Sequence, residues 1–296
     1  MASKGKTAAL TELYLLLAVV FLGTNPVAVK LAVRDIPPLP FVALRFVAAG
    51  VLLLAVARIF GGHRVPRGRD LAALAGVGAL GVGLNNVAFT LGVSMTTASD
   101  TALIYAAVPI WGMLLGLALG LERPERRGVA GVGLAFCGVA VIVWSGSGAG
   151  GSSLEGNLLV ALATVCWGSY AVLSLPLLRV YPPVLVAACT MLFGGLAAIP
   201  AALPGLVDAG WLAGVGGVAW AATAYSTLLV AAFGFWAWQR GVSQTGANRV
   251  LVYQYLITLV GVISGIVLLG EELSATKVLG GAVVLAGVYL ARRRPE

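Results

Sequence analysis

The strongest constraint on this chain is a succession of long apolar runs joined by links too short to fold. Reading the runs between Gly, Pro and charged residues gives ten candidate helices, at 10 to 32, 38 to 59, 70 to 92, 98 to 121, 128 to 145, 157 to 178, 183 to 203, 214 to 239, 247 to 270 and 274 to 291. Most approach the ~20 residues that an α-helix needs to cross a bilayer core. No soluble domain fits in the links, so whatever the protein does is built inside the membrane. Composition agrees: 60% of residues are hydrophobic and 10% charged, against roughly 25% charged in soluble domains. The first run follows a Lys-bearing tail but ends in no small-residue cleavage pattern, so it is expected to be a span and not a signal peptide.

Charge sets the expected direction of threading. Of the 19 Lys and Arg residues, fifteen fall on the side of the N-terminus if ten spans are threaded in order. Arg34 and Lys277 fall on the other side, and Lys30 and Arg45 lie within or at the edges of spans. Positive charge is retained on the cytoplasmic face, so both termini are expected to be cytoplasmic. The abundance of Ala, Gly, Val and Arg is that of a GC-rich genome, and a bacterial inner membrane is the expected location. The net charge of +8 is scattered between apolar runs and makes no basic face, so no nucleic-acid partner is expected. Cys137, Cys166 and Cys189 lie in apolar stretches and read as small packing residues.

The chain also repeats. At an offset of 145, Gly23-Thr24 matches Gly168-Ser169 and Pro37-Pro38 matches Pro182-Pro183. At an offset of 149, Gly92-Val93-Ser94, Thr96 and Ala98 match Gly241-Val242-Ser243, Thr245 and Ala247, and Gly112, Gly116, Glu122, Gly131 and Gly138 match Gly261, Gly265, Glu271, Gly280 and Gly287. The halves divide at 1 to 146 and 147 to 296, with five spans each. An odd span number makes the second half cross the membrane in the opposite sense. The expected fold is therefore an all-α membrane protein of ten transmembrane helices, in two inverted five-helix repeats around a central cavity. That arrangement suits alternating access, with a substrate site near the midplane.

At these residues the chain resembles the EamA-type branch of the drug/metabolite transporter superfamily, and within it the aromatic amino-acid exporters of the YddG type. The resemblance is carried by Gly23-Thr24-Asn25 and Trp167-Gly168-Ser169, by Leu44-Arg45-Phe46, by the helix entries Ser94-Met95-Thr96-Thr97-Ala98-Ser99 and Gln244-Thr245-Gly246-Ala247-Asn248, and by Leu269-Gly270-Glu271-Glu272-Leu273. It departs from the family's frequent Trp-Gly in the first span, where this chain has Leu22-Gly23. The resemblance implies export of amino acids or related metabolites.

The residues themselves point to where a substrate would bind. Polar amides at mid-span depth are costly unless paired or facing water, so Asn25, Asn85, Asn86 and Gln254 are expected to face inward. At helical spacing Tyr105 and Gln254 occupy matching places in the two halves. With Trp167, Tyr170, Trp236 and Tyr253 they form the candidate substrate-binding set. Lys30 and Arg45 are candidates for gating or for meeting a substrate charge; the bland alternative for both is snorkelling or pairing with Asp35. Pro26 deprives the carbonyl of Leu22 of its helical partner. An uncoiled stretch there, or satisfaction by Thr24 and Asn25, is expected. Gly76-Val77-Gly78-Ala79-Leu80-Gly81 fits a dinucleotide pattern but lacks its strand and acidic residue, so it reads as helix packing.

No carboxylate falls at the centre of a span, and the single histidine, His63, is in a link. Movement down a gradient is therefore expected over proton coupling. No cofactor, metal or catalytic constellation is expected. The reading is a transporter exporting small amphipathic metabolites such as aromatic or other neutral amino acids. Its alternative is a carrier for sugar phosphates, nucleotide sugars or drugs.

Overall fold

The computed structural model describes residues 2–60, 66–120, 126–145 and 152–292, and every regular element among them is helical. His63 and Glu122 lie outside the described residues. In chain order the helical spans are α1 (Ala2–Ala32), α2 (Pro38–Phe60), α3 (Arg69–Met95), α4 (Ala98–Ala118), α5 (Arg126–Ser145), α6 (Leu154–Leu178), α7 (Pro183–Val207), α8 (Gly217–Thr245), α9 (Leu251–Leu269) and α10 (Ala275–Arg292). Eight of them are long and apolar enough to cross a membrane, and α5 and α10 carry the shorter apolar helices Val129–Trp144 and Ala275–Leu290. Large apolar side chains such as Leu13, Leu44, Val51, Leu228, Leu259 and Leu279 face outward. In a multi-pass membrane protein that surface meets lipid.

Local sequence explains where the helices begin and break. Pro38 and Pro183 open α2 and α7, where the missing N–H would have had no helical partner. Thr97 caps α4 by accepting from the Asp100 N–H, and Ser153 caps α6 by accepting from that of Gly156. Pro109 and Pro176 interrupt α4 and α6 two to three residues earlier, at Ala106–Ala107 and at Ser174, because proline removes an N–H and crowds the preceding turn. Pro26 does not do this. α1 is a continuous helix from Ala2 to Ala32, so the expected uncoiling is replaced by an intact helix. Thr24 donates to the carbonyls of Val20 and Phe21 and meets the Tyr225 hydroxyl at 2.6 Å.

Two spans contain π segments, Ala79–Leu84 in α3 and Ser226–Gly234 in α8. Shifted by the 149-residue register of the sequence repeat, the first falls on 228–233, inside the second. In each, a side chain donates to a main-chain carbonyl: Asn86 Nδ2 to Val82 O at 2.9 Å, and Arg45 Nε to Ser226 O at 3.1 Å. Such segments shift the helical phase and gather at functional sites.

The packing follows the repeat. α1 lies against α8 and α9, α6 lies against α3 and α4, and α2–α7, α4–α9 and α5–α10 form cross-half pairs. Glycines set the distances. A Cβ on Gly23 would fall 2.7 Å from the side chain of Val260 and 2.9 Å from Ile257 O, and one on Gly168 would fall 2.7 Å from Trp111 Cβ and from Val108 O. Residues 260 and 257 are the repeat partners of 111 and 108. Gly50 and Gly195 meet Leu192 and Val47 in the same reciprocal way. With no hydrophobic drive between helices in lipid, this close approach is what associates them.

The α5–α10 contact is the clearest test of that statement. A Cβ at Gly138 would lie 2.6 Å from Val284 N and 2.7 Å from Gly280 O, whereas nothing lies within 4 Å of one at Gly133. Gly138→Leu is expected to cost about 1–3 kcal/mol, the usual range for overpacking, and Gly133→Ala to change stability by less than about 0.5 kcal/mol. Thermal unfolding of the detergent-solubilised protein, followed by intrinsic fluorescence, measures both.

Candidate substrate-binding site

Where α1, α3, α4, α6, α8 and α9 meet, the bundle leaves a cavity of about 50 Å³. α1 contributes Leu22, Gly23, Asn25 and Pro26, and α3 contributes Asn85, Asn86 and Phe89. Thr101, Ala102 and Tyr105 come from α4. Trp167 of α6, Phe235 of α8, and Gln254, Ile257 and Thr258 of α9 complete the wall. No charged side chain lines it among the described residues.

Most of the polar wall is internally paired. Asn85 Nδ2 donates to Ala163 O at 2.7 Å and to the Tyr105 hydroxyl at 3.3 Å, while Asn85 Oδ1 accepts from Asn86 Nδ2 at 3.0 Å. Asn25 Oδ1 accepts from the Ser226 hydroxyl at 2.9 Å. On α9 the pattern changes. Gln254 is 1% exposed and Thr258 4% exposed, yet the Gln254 amide oxygen and nitrogen and the Thr258 hydroxyl have no hydrogen-bond partner. Burying an unpaired amide is unfavourable by about 1–3 kcal/mol. Groups left this way on a cavity wall are open to a ligand that donates and accepts.

Aromatic rings form the apolar part of the wall. Trp167 meets Phe235 edge-on at 4.9 Å between ring centroids, and Phe89 meets Tyr105 edge-on at 5.4 Å. Tyr170 stands behind Trp167, stacked at 5.5 Å, with its hydroxyl 2.9 Å from that of Thr190. The structure thus brings Asn25, Asn85, Asn86, Tyr105, Trp167 and Gln254 together around the cavity and sets Tyr170 in the layer behind. Trp236 belongs to another cluster, 5.2 Å from the Tyr14 ring and under the Arg240 guanidinium at 5.9 Å. Tyr253 sits half-buried in the opening 3-10 turn of α9, off the cavity wall. Phe89 and Phe235 were absent from the sequence expectation. Phe89 lies one helical turn beyond Asn85, a spacing that could have found it; Phe235 follows a π segment, where the phase of the helix is lost to a sequence count.

At the end of the bundle where α9 turns into α10, charged groups join the two halves. Glu271 accepts from the main-chain N–H groups of Ala98 and Ser99 and from the Ser99 hydroxyl, each at 2.8 Å, and pairs with Lys30 at 3.4 Å. The sequence alternative had been Asp35; that carboxylate instead accepts from the Gly216 N–H. Beside it Lys277 pairs with Asp100 at 2.9 Å, both side chains buried, and Asp100 also accepts from the Ser152 and Thr96 hydroxyls.

With this geometry in view, comparison with known proteins is decisive at the level of family. The model of the EamA-like transporter family matches residues 9–144 and again residues 154–293. The chain belongs to the EamA-like transporter family. It is therefore a membrane transporter and not an enzyme. A "Probable terminal-alkyne amino-acid exporter" of Streptantibioticus cattleyicolor is 32% identical over 250 residues, covering 84% of this chain and 82% of the relative. A "Probable amino-acid metabolite efflux pump" of Salmonella typhimurium is 28% identical over 289 residues, covering 93% and 92%. A solved crystal structure shares the fold of this EamA-like transporter, with a TM-score of 0.66 and 20% identity over 96% of this chain and 97% of that one.

The Glu271 contacts carry a pH signature. Burial pushes its carboxyl upward, but the Ala98 and Ser99 hydrogen bonds and the Lys30 charge outweigh that, leaving it below its ordinary 4.5. A carboxyl depressed by folding stabilises above its unfolded value, and that stabilisation is lost as the pH falls through the folded value. The wild type is expected to lose thermal stability as pH drops below about 4.5. Glu271→Gln is expected to start lower at neutral pH and to vary less across that window. Thermal unfolding of both proteins over a pH series checks this.

Proposed function

We propose that this transporter exports small amphipathic metabolites, aromatic or other neutral amino acids above all, down their gradient by alternating access. The observation that carries the reading is the pairing, in one uncharged cavity, of an aromatic wall at Trp167, Phe235 and Phe89 with unsatisfied amide and hydroxyl groups at Gln254 and Thr258. A neutral amino acid presents those two faces: a ring or aliphatic side chain, and donors and acceptors at its α-carbon. Two relatives named as exporters of amino acids or their metabolites support the same class.

In this reading the ten helices form two inverted five-helix repeats, divided near residue 146, with both termini in the cytoplasm of a bacterial cell. The reciprocal glycine contacts support two near-equivalent packings of the halves. The charge asymmetry supports an outward α9–α10 turn, where Lys30 and Glu271 would close the outer end of the path. Asn25, Asn85, Asn86, Tyr105, Trp167 and Gln254 contact the solute while Tyr170 supports the Trp167 ring. The absence of charge on the described wall favours neutral solutes over sugar phosphates, which need several inward cations.

Efflux of labelled amino acids from liposomes reconstituted with the full chain tests this. Phenylalanine or tryptophan is expected to leave down its gradient at a rate unaffected by an imposed pH difference. Trp167→Ala and Gln254→Ala are each expected to weaken transport by about tenfold, the effect of losing ~1.4 kcal/mol of binding. Gly133→Ala is expected to transport normally. Wild-type vesicles that retain every amino acid tried, or cavity variants with wild-type rates, would overturn the assignment.

A further inference from the structure

Arg45 is 1% exposed within α2, and its surroundings do not neutralise it. Its Nε donates to Ser226 O at 3.1 Å, and its guanidinium lies 4.7 Å from the Phe46 ring centroid and 5.6 Å from that of Phe41. Its two terminal nitrogens are buried and without a hydrogen-bond partner. The ion pairs among the described residues, Lys30–Glu271 and Lys277–Asp100, do not include it. A guanidinium kept from water without a counter-ion is costly, and the low dielectric that makes it so also carries its field farther than water would.

One residue connects that field to the cavity. Ser226 holds Arg45 with its carbonyl and donates its hydroxyl to Asn25 Oδ1 at 2.9 Å. Asn25 lines the cavity. With its oxygen engaged, the group Asn25 can offer a ligand is its NH2, a pair of donors. On the α9 part of the wall the unpaired Gln254 oxygen and Thr258 hydroxyl oxygen can accept, and the unpaired Gln254 amide nitrogen can donate. The wall therefore has a donor at Asn25 backed by a positive charge and, on α9, groups able to accept.

We infer that Arg45 gives the cavity a carboxylate end. Solutes bearing a carboxylate seat it at Asn25, with an ammonium toward Gln254 and Thr258, and ring-matched amines without a carboxylate are rejected. Arg45 is a positioning and specificity-determining residue that acts through Asn25 without touching the solute. Its place behind the wall suits a carrier, because a direct ion pair would hold the solute too tightly for release, while a field one layer back orients it and lets it leave. The inference rests on the amino-acid reading of the cavity and adds the polarity with which the solute binds.

Ligand-induced thermal shifts of the full chain in detergent, titrated with phenylalanine, phenylpropionate and phenylethylamine, test it. The wild type is expected to bind both carboxylates at least about tenfold more tightly than the amine, a difference of order one close charge pair. Arg45→Gln is expected to close that gap, and Arg45→Lys, which keeps the charge and loses the planar fork, to preserve it. Asn25→Asp, which leaves Arg45 in place and puts a negative charge on the wall, is expected to turn the preference toward the amine. A residue that merely braces the π segment of α8 would change stability without changing the order of the three ligands. No carboxylate preference in the wild type, an unchanged order in Arg45→Gln, or an unchanged order in Asn25→Asp overturns the inference and leaves the amino-acid reading standing. Failure of all three ligands to bind the wild type overturns that reading, and the inference with it.

Discussion

In a bilayer no solvent competes for a polar group, and that constraint organises this protein. Every amide, hydroxyl and charge below the membrane surface has to be paired by the chain or turned to a cavity. Thr24, Thr190 and Ser264 return their hydroxyls to carbonyls of their own helices. Asn85 and Asn86 satisfy each other and the carbonyls of Ala163 and Val82. Against that background Gln254, Thr258 and Arg45 have buried groups without a partner, as do Thr90, Trp238 and Gln239, and of these six residues Gln254 and Thr258 lie on the cavity wall. α1 also obeys the constraint: it stays a continuous helix through Pro26 and loses a single main-chain bond there.

The same scarcity of solvent-driven association explains the glycines. Apolar helices gain nothing by hiding from lipid, so they associate where small residues allow backbones to touch. Here the touching points come in related pairs: Gly23 on Val260 and Gly168 on Trp111, Gly50 on Leu192 and Gly195 on Val47, Gly138 on Gly280 and Gly287 on Gly131. The contacts that one half makes are thus repeated by their register partners in the other.

The charged groups break that symmetry. Glu271, Lys30, Asp100 and Lys277 gather at one end of the bundle and tie the α9–α10 turn to α1 and to the start of α4. In the 149-residue register the counterparts of Asp100 and Lys277 are Arg249 and Gly128, which cannot form the same ion pair. The Lys277–Asp100 ion pair that closes this end of the bundle thus has no counterpart in the repeat register.

The helical spans, their approximate limits and the repeat were legible in the sequence because each depends on local signals: apolar run length, proline and glycine punctuation, and residue identities in a fixed register. Membership in the EamA-like transporter family followed from the same residues. Of the cavity, the amides and Trp167 were legible because polar and aromatic groups at mid-span depth need a reason to be there. Tertiary structure alone decided that Lys30 meets Glu271 and not Asp35, that Trp236 joins Tyr14, and that Phe235 takes the place on the wall. These outcomes depend on helix rotation and on contacts between different helices. A π segment in α3 and another in α8 reset that rotation, and helical periodicity read along the chain does not carry phase across them.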